Sequence, residues 1–447
     1  MSNLFAARAQ MGSSLAFHII FAALGMGLPV LLVISEGLWL KTKNPIYLAL
    51  ARRWSKAFAV LFAVGAVSGT VLSFELGLLW PEFMKFAGGI IGMPFSAEGF
   101  AFFIEAIFLG LYLYGWNRLS PLAHWLCGLP IAISGAFSAI FVISANAWMN
   151  SPSGFNVVDG KVVDVNPLKA MLNGAWFQQA LHMTLAAYVA TGFAVAGLYA
   201  IGMLRGHRDA YHRAGLAIAI GLGGVMIPLQ IISGDISARW VAENQPVKFA
   251  ALEGQFKTEA GAPLTLGGYP DPAARETKYA LEIPNLLSLI AYRDPHATIQ
   301  GLDAWPLADQ PDPRPVHFAF DMMVSLGMTM LFIGGWYWLR AWKRRHVGER
   351  WRPPLSKPLL WALAIATPLG FLAIECGWTV TEVGRQPWII YGFMRTADAV
   401  TAVPNQFVSL GGFTLVYVIL AITSAWLVHR LSMAPLQIEE AADAPAV

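Results

Sequence analysis

The sequence predicts an all-α polytopic membrane bundle of about nine transmembrane helices, and three observations predict it. Of 447 residues, 56% are hydrophobic and 13% charged, with a mean hydropathy of +0.54, whereas a water-soluble domain carries about 25% charged residues to cover its surface. Apolar stretches long enough to cross a bilayer recur along the whole chain. Lys and Arg gather in every second connection between those stretches.

The spans are expected near 12–35, 56–80, 97–116, 122–145, 177–203, 214–234, 317–340, 358–382 and 404–429. No small-residue cleavage site follows the first apolar run, so it reads as a retained helix. The first connection holds Lys41, Lys43, Arg52, Arg53 and Lys56. The fifth span is followed by Arg205, Arg208 and Arg213, and the seventh by Arg340, Lys343, Arg344, Arg345, Arg350, Arg352 and Lys357. Connections 81–96, 146–176 and 383–403 are longer or less basic, which places the N-terminus in the periplasm and the C-terminus in the cytoplasm. Residues 1–234 thus hold helices one to six and 317–432 hold helices seven to nine. Between them, 235–316 carries most of the polar, Pro and Gly content and reads as a functional periplasmic loop rather than a mobile linker. The acidic, small-residue tail 433–447 reads as disordered and cytoplasmic.

A formal net charge of +3, spread over short loops, serves topology and excludes a nucleic-acid partner. Cys127 and Cys376 stand alone in apolar runs, and no CxxC or CxxCH occurs, which excludes zinc, iron–sulfur and covalently attached haem.

Of nine histidines, His18 and His182 sit well inside apolar runs. An intramembrane ionisable group is costly to bury without a role, although one histidine alone could simply bond a neighbouring helix. His18, His182 and Met323 lie at similar depth in helices that run outside to inside, and Glu382 reaches that level from the opposite direction. Imidazole plus thioether suits six-coordinate haem iron, whereas a lone His or a carboxylate leaves a coordination position open. Met323 taken singly, among 16 methionines, would be packing.

At about 100° per residue, Glu375, Trp378, Glu382 and Arg385 project from one narrow helix face, and Pro387 is expected to end that helix. Such a cluster must pair or bind something. Arg385 could neutralise Glu382 or a propionate. Glu98 and Glu105 stand seven residues apart, about 10.5 Å along one helix face, among aromatics, and suit proton relay or a structural pairing. Lys248 and Glu253, by contrast, read from the sequence as ordinary solvated loop charges.

Taken in order, these motifs resemble subunit I of cytochrome bd-type ubiquinol oxidases, including the cyanide-insensitive branch. The resemblance covers nearly the whole chain. It rests on Arg8 to Gln10 before His18, Glu98 to Glu105 with Phe108 to Gly110, Ala145 to Met149, Lys248 to Glu253, Ile283 to Ser288, Met323 to Gly327 and, most specifically, Gly384 to Trp388. It implies a multi-pass protein of the bacterial inner membrane that oxidises quinol and reduces O2 to water, with two haems b and one haem d, or b in place of d. His182 and Met323 would bind the low-spin haem b, and His18 and Glu382 the two high-spin haems in an order left open. Glu98 and Glu105 would deliver protons, Trp378 and Arg385 would line the haem pair, and Lys248 and Glu253 would contact ubiquinol in a short loop. The implied partners are subunit II and a small single-helix subunit. Asp321 departs from a basic residue expected two positions before the methionine ligand, and would lower the haem potential if it faced the haem. Two other classes remain alternatives on residues alone: a haem-free proton or ion transporter, and a b-haem quinol reductase with another acceptor.

Overall fold

The computed structural model of the protein describes residues 2–346 and 355–433; Arg350, Arg352 and the tail from 434 lie outside them. Among the described residues nine helical segments are long and apolar enough to cross a membrane.

The chain opens with α1 (Asn3–Thr42), α2 (Pro45–Leu79), α3 (Pro81–Gly115) and α4 (Pro121–Asn150). Their starts are written locally: Ser2, Asn44 and Ser120 accept hydrogen bonds from exposed amides of the first turn, and proline opens α2, α3 and α4. A hairpin, β1 (Asn156–Val158) with β2 (Lys161–Val163), and short α5 (Pro167–Met171) lead to α6 (Trp176–Leu204) and α7 (Ala210–Asn244). After the loop come α10 (Pro313–His346), α11 (Lys357–Ile365), α12 (Leu369–Val383), the pair β9 (Trp388–Ile390) and β10 (Met394–Arg395), α13 (Thr396–Ala399) and α14 (Gln406–Met433).

The helices outrun the apolar stretches that announce them. Residues 81–96, expected as a connection, form the first turns of α3, because Pro81 opens the helix and a polar start with Glu82 and Lys85 is compatible with helix in water. Likewise α7 continues ten residues past 234, and the eighth span divides at 366–368, where Pro368 has no amide to donate.

The loop between α7 and α10 is ordered. It begins with α8 (Pro246–Glu253) and continues with β3 (Glu259–Ala260), β4 (Leu264–Leu266), β5 (Tyr269–Asp271), β6 (Glu276–Lys278), β7 (Leu281–Ile283), α9 (Leu286–Tyr292) and β8 (Thr298–Ile299). The strands pair in nested antiparallel fashion, β5 with β6, β4 with β7 and β3 with β8. Phe249, Leu252, Phe256, Leu287 and Leu302 pack beneath them with Val380 of α12, so the loop owns a small core continuous with the bundle.

Asn3 Nδ2 donates to the carbonyl of Val403, the Thr401 amide to Leu79, the Tyr391 amide to Met149, and Gln245 Nε2 to Asn150. These bonds gather the starts of α1 and α14 and the ends of α2, α4, α7 and α12 on one face, here the N-terminal face. On the opposite face, Ser35 Oγ donates to the Tyr47 carbonyl and Trp54 Nε1 to Tyr199 Oη. The most apolar stretch of α6 is 67% buried and that of α14 is 11% buried, which sets α6 at the centre and α14 at the rim.

Candidate functional site

His18 and His182 are held by the same device. His18 Nδ1 lies 2.9 Å from Ser68 Oγ, whose own proton goes to the carbonyl of Val64. The serine must therefore accept, so His18 carries its proton on Nδ1 and keeps a lone pair on Nε2. His182 Nδ1 lies 2.9 Å from Ser233 Oγ, which donates to the carbonyl of Gln230, and the same tautomer follows. Each serine is followed by a glycine against the ring: a Cβ on Gly69 would stand 2.9 Å from His18 Cε1, and one on Gly234 3.4 Å from His182 Cε1. Fixing Nδ1 while leaving Nε2 free is how proteins present a neutral imidazole to a metal.

The other two expected ligands stand on α10 and near the end of α12, which pack together. Met323 Sδ lies 3.1 Å from the Cβ position of Gly377, so only the missing side chain lets the thioether approach α12. Ile19 and Met183, next to His18 and His182, share one apolar cluster with Ile374 and Trp378 of α12. Glu382 Oε1 accepts from Asn146 Nδ2 at 2.5 Å and Oε2 from Arg385 Nη2 at 2.6 Å. Arg385 is almost fully buried, and its Nη1 has no hydrogen-bond partner among the described residues. Glu375 Oε1 and Gln230 Oε1 are likewise buried without a partner.

These features fit haem. Two neutral imidazoles with a lone pair on Nε2, a neutral thioether and a carboxylate suit iron, and a buried guanidinium with a spare donor suits a propionate. Gln230 Nε2, 3.1 Å from His182 Nε2, occupies the coordinating position of that ring here.

Lys248 and Glu253 are not solvated charges. Both are buried at the ends of α8. Lys248 Nζ donates to Asn150 Oδ1 at 2.5 Å; burial, with Arg385 nearby, brings its pKa down to about 7. Burial, with Asp321 nearby, pushes Glu253 up to about 8. Asn150 Nδ2 in turn donates to Asn146, so a hydrogen-bonded chain runs Lys248, Asn150, Asn146, Glu382, Arg385. A cavity of about 200 Å³ opens beside α8 between Val247, Trp305, Trp388 and Tyr391. Asp321 accepts from the Gly267 amide at 2.7 Å and lies 3.5 Å from His317 Nε2, so it is spent on anchoring the loop.

On α3, Glu105 is buried against α1 and α4, its Oε1 near the position a Cβ on Gly135 would take, and Glu98 is half-buried on the same face. The site residues that sequence reasoning missed are the supports: Ser68, Ser233, Gln230 and Asn150. A serine or amide within an apolar run carries no signal until its partner on another helix is known. A further buried carboxylate, Glu75, accepts from Gln10 Nε2 at 2.8 Å.

A membrane-embedded helical bundle that presents paired imidazoles, a thioether and a buried carboxylate–guanidinium pair defines a membrane haem protein as its class. A family model described as "Cytochrome bd terminal oxidase subunit I" matches residues 6–434. A Bacillus subtilis (strain 168) protein provisionally named cytochrome bd menaquinol oxidase subunit I is 37% identical over 429 residues, 94% of each chain. The cytochrome bd ubiquinol oxidase subunit 1 of the same strain is 30% identical over 452 residues, 96% of this chain and 93% of that one. The solved structure of bd oxidase from Geobacillus thermodenitrificans superposes with a TM-score of 0.89 at 37% identity, covering 96% of this chain and 98% of that one. The chain belongs to the cytochrome bd terminal oxidase subunit I family, and is a multi-pass protein of the bacterial inner membrane.

Proposed function

We propose that the protein is the haem-bearing subunit of a quinol:oxygen oxidoreductase that oxidises quinol at the periplasmic side and reduces O2 to water, separating charge without pumping. The observation that carries this reading is the duplicated serine–glycine support that fixes the proton on Nδ1 of His18 and of His182 and leaves each Nε2 as a lone-pair acceptor. His182 and Met323 would hold the low-spin haem b, and His18 and Glu382 the two high-spin haems, one b and the other d or b. When bound, the haems supply one-electron transfer and, where a position stays open, a place for dioxygen.

The chain's own residues supply the rest. Basic Lys41, Lys43, Arg52, Arg53, Arg205, Arg208 and Arg213 flank the face opposite the N-terminus, which supports a cytoplasmic assignment for it. The ordered loop on the N-terminal face then meets the periplasm. There Lys248, brought to about 7 by burial, binds ubiquinol and accepts a proton from it, and Glu253, which burial keeps protonated up to about 8, contacts the same ubiquinol. Glu105 and Glu98 hold protons on the way from the cytoplasm, and Trp378 and Arg385 line the haem pair. Each charge displaced across 100 mV stores about 2.3 kcal/mol. Phe100, Phe103, Ile107 and Tyr114 leave one side of α3 apolar and exposed, a face suited to a second membrane subunit, with a small single-helix subunit as a further partner.

Haem extraction and chromatography of the purified complex test the reading. Two haems b and one further haem are expected, with oxygen uptake on adding quinol. A colourless protein, or a coloured one that consumes no oxygen, overturns it.

A further inference from the structure

One cluster of buried ionisable groups is used by none of the roles above. On the opposite face, Glu36 of α1, Tyr112 of α3 and His124 of α4 meet, and each is at most 2% exposed. His124 Nδ1 lies 2.7 Å from Glu36 Oε1, Tyr112 Oη donates to Glu36 Oε2 at 2.6 Å, and His124 Nε2 lies 2.8 Å from the Tyr112 carbonyl.

The hydrogens can be counted. A carbonyl only accepts, so His124 Nε2 carries a proton. The 2.7 Å contact between Nδ1 and Oε1 needs one more, since two facing lone pairs would repel. The triad therefore holds a proton, as imidazolium with carboxylate or as imidazole with carboxylic acid; the two forms have the same composition and differ by a shift along one hydrogen bond. His124 is the fourth residue of α4, within about 6 Å of the helix start along the axis. The Trp116 ring packs 3.9 Å from the His124 ring, and the Arg52 guanidinium of α2 lies 5.4 Å from Trp116.

The triad is also aligned with the carboxylates of α3. Glu98, Glu105 and Tyr112 are spaced by seven residues, so they form one stripe with steps of about 10.5 Å. The helices that build the triad also enclose Glu105, which lies between Gly25 of α1 and Gly135 of α4. Two or three hydrogen-bonded waters cover such a step.

We propose that Glu36, Tyr112 and His124 form a proton-holding station that takes protons from the cytoplasmic side and reloads Glu105. This rests on the oxidase reading and on the orientation given above. One proton leaves the triad for the Glu105 carboxylate and one from the aqueous side replaces it, with no other bond changed. Emptying the station leaves Glu36 and an unprotonated Nδ1 facing each other, so each departure favours immediate refilling, a property suited to one-way delivery.

The test uses the whole purified complex in liposomes, with variants Glu36→Gln, His124→Gln and Tyr112→Phe. Quinol-driven oxygen reduction is expected to fall at least tenfold in Glu36→Gln and His124→Gln and several-fold in Tyr112→Phe. Haem content and anaerobic reduction of the haems by quinol should stay at the parent level. Redox-difference infrared spectra should contain carboxyl or imidazole bands that vanish in Glu36→Gln, which a merely structural clamp would not produce. Parent-like turnover within twofold, with no such bands, overturns the station. Tyr112→Phe removes one hydrogen bond and keeps the ring, so it decides the matter if the other two variants fail to assemble. A parent complex without haem or oxygen uptake would instead sink the oxidase reading, and is seen before any variant is made.

Discussion

His18 and His182, the two proposed imidazole ligands, are held by one kind of support in two settings. In both, a serine on the next helix of the chain fixes Nδ1 and the following glycine makes room for the ring. The settings differ in what surrounds Nε2 and in what the helices lead to. His182 pairs with α7, which ends at Asn244 and feeds directly into the loop helix α8, while α10 leaves the same loop and brings Met323. His18 pairs with α2, joined to α1 on the opposite face, and the buried Gln10–Glu75 pair lies toward the N-terminal face from it. Under the proposed roles, the helices that reach the loop would suit the first imidazole to electron entry from quinol and leave the second for oxygen. The lesson is that ligand type alone does not separate the two roles, because the imidazoles and their supports are alike.

The sharpest break of that comparison is removal of the ligands. Met323→Leu keeps volume and loses sulfur. It is expected to abolish the low-spin optical band in the isolated complex while leaving the high-spin bands; His182→Ala should do the same. His18→Ala should do the reverse. A Met323→Leu spectrum identical to that of the parent would remove the assignment of Met323. Smaller effects are expected from the supports. Ser233→Ala and Ser68→Ala should each weaken haem retention by about 10–100-fold at their own site only, as loss of an outer-shell partner does. Haem titration of the stripped protein reads this out, and cross-talk between the sites would mean that the two supports do not act independently.

How much of this was legible in the sequence follows from the physics of each feature. The nine spans announce themselves because lipid demands long apolar runs, and their true lengths do not, because a helix outside the bilayer needs no apolar residues. His18, His182, Glu98, Glu105 and Glu382 stand out as ionisable groups where water is scarce. Ser68 and Ser233 do not, since serine is common in such helices and its role is set by a partner fifty residues away. Lys248 and Glu253 mislead for the opposite reason. Their local sequence is that of a surface segment, and burial comes from the nested hairpin folding over α8, which no local pattern encodes.

If the loop serves the His182 side alone, its effects should be confined to quinol oxidation. Lys248, held at about 7, is neutral above that pH and can accept a proton from quinol; below it the amine is already protonated. The quinol kcat/KM is therefore expected to fall as pH drops through 7, and Lys248→Met should lower it about tenfold or more and erase that limb. Oxygen reduction driven by an artificial electron donor should not share the limb if His18 lies outside the loop's reach. Stability gives an independent check on the same two groups. Between about 7 and the ordinary lysine value of 10.5 the unfolded chain binds the proton that native Lys248 lacks, so this residue makes folding more favourable as pH rises. Glu253, raised to about 8, keeps a proton that the unfolded chain loses above 4.5, so its contribution falls as pH rises over that window. Lys248→Met and Glu253→Gln should thus flatten the pH dependence of Tm in opposite senses. Lys278 and Asp271, a partly exposed pair 2.6 Å apart in the same loop, supply the smallest effect. Water already solvates both charges, so Lys278→Ala is expected to leave Tm, its pH profile and turnover unchanged. A Lys278→Ala variant as impaired as Lys248→Met would show that charge anywhere in the loop matters, and would dissolve the distinction that burial draws between the two lysines.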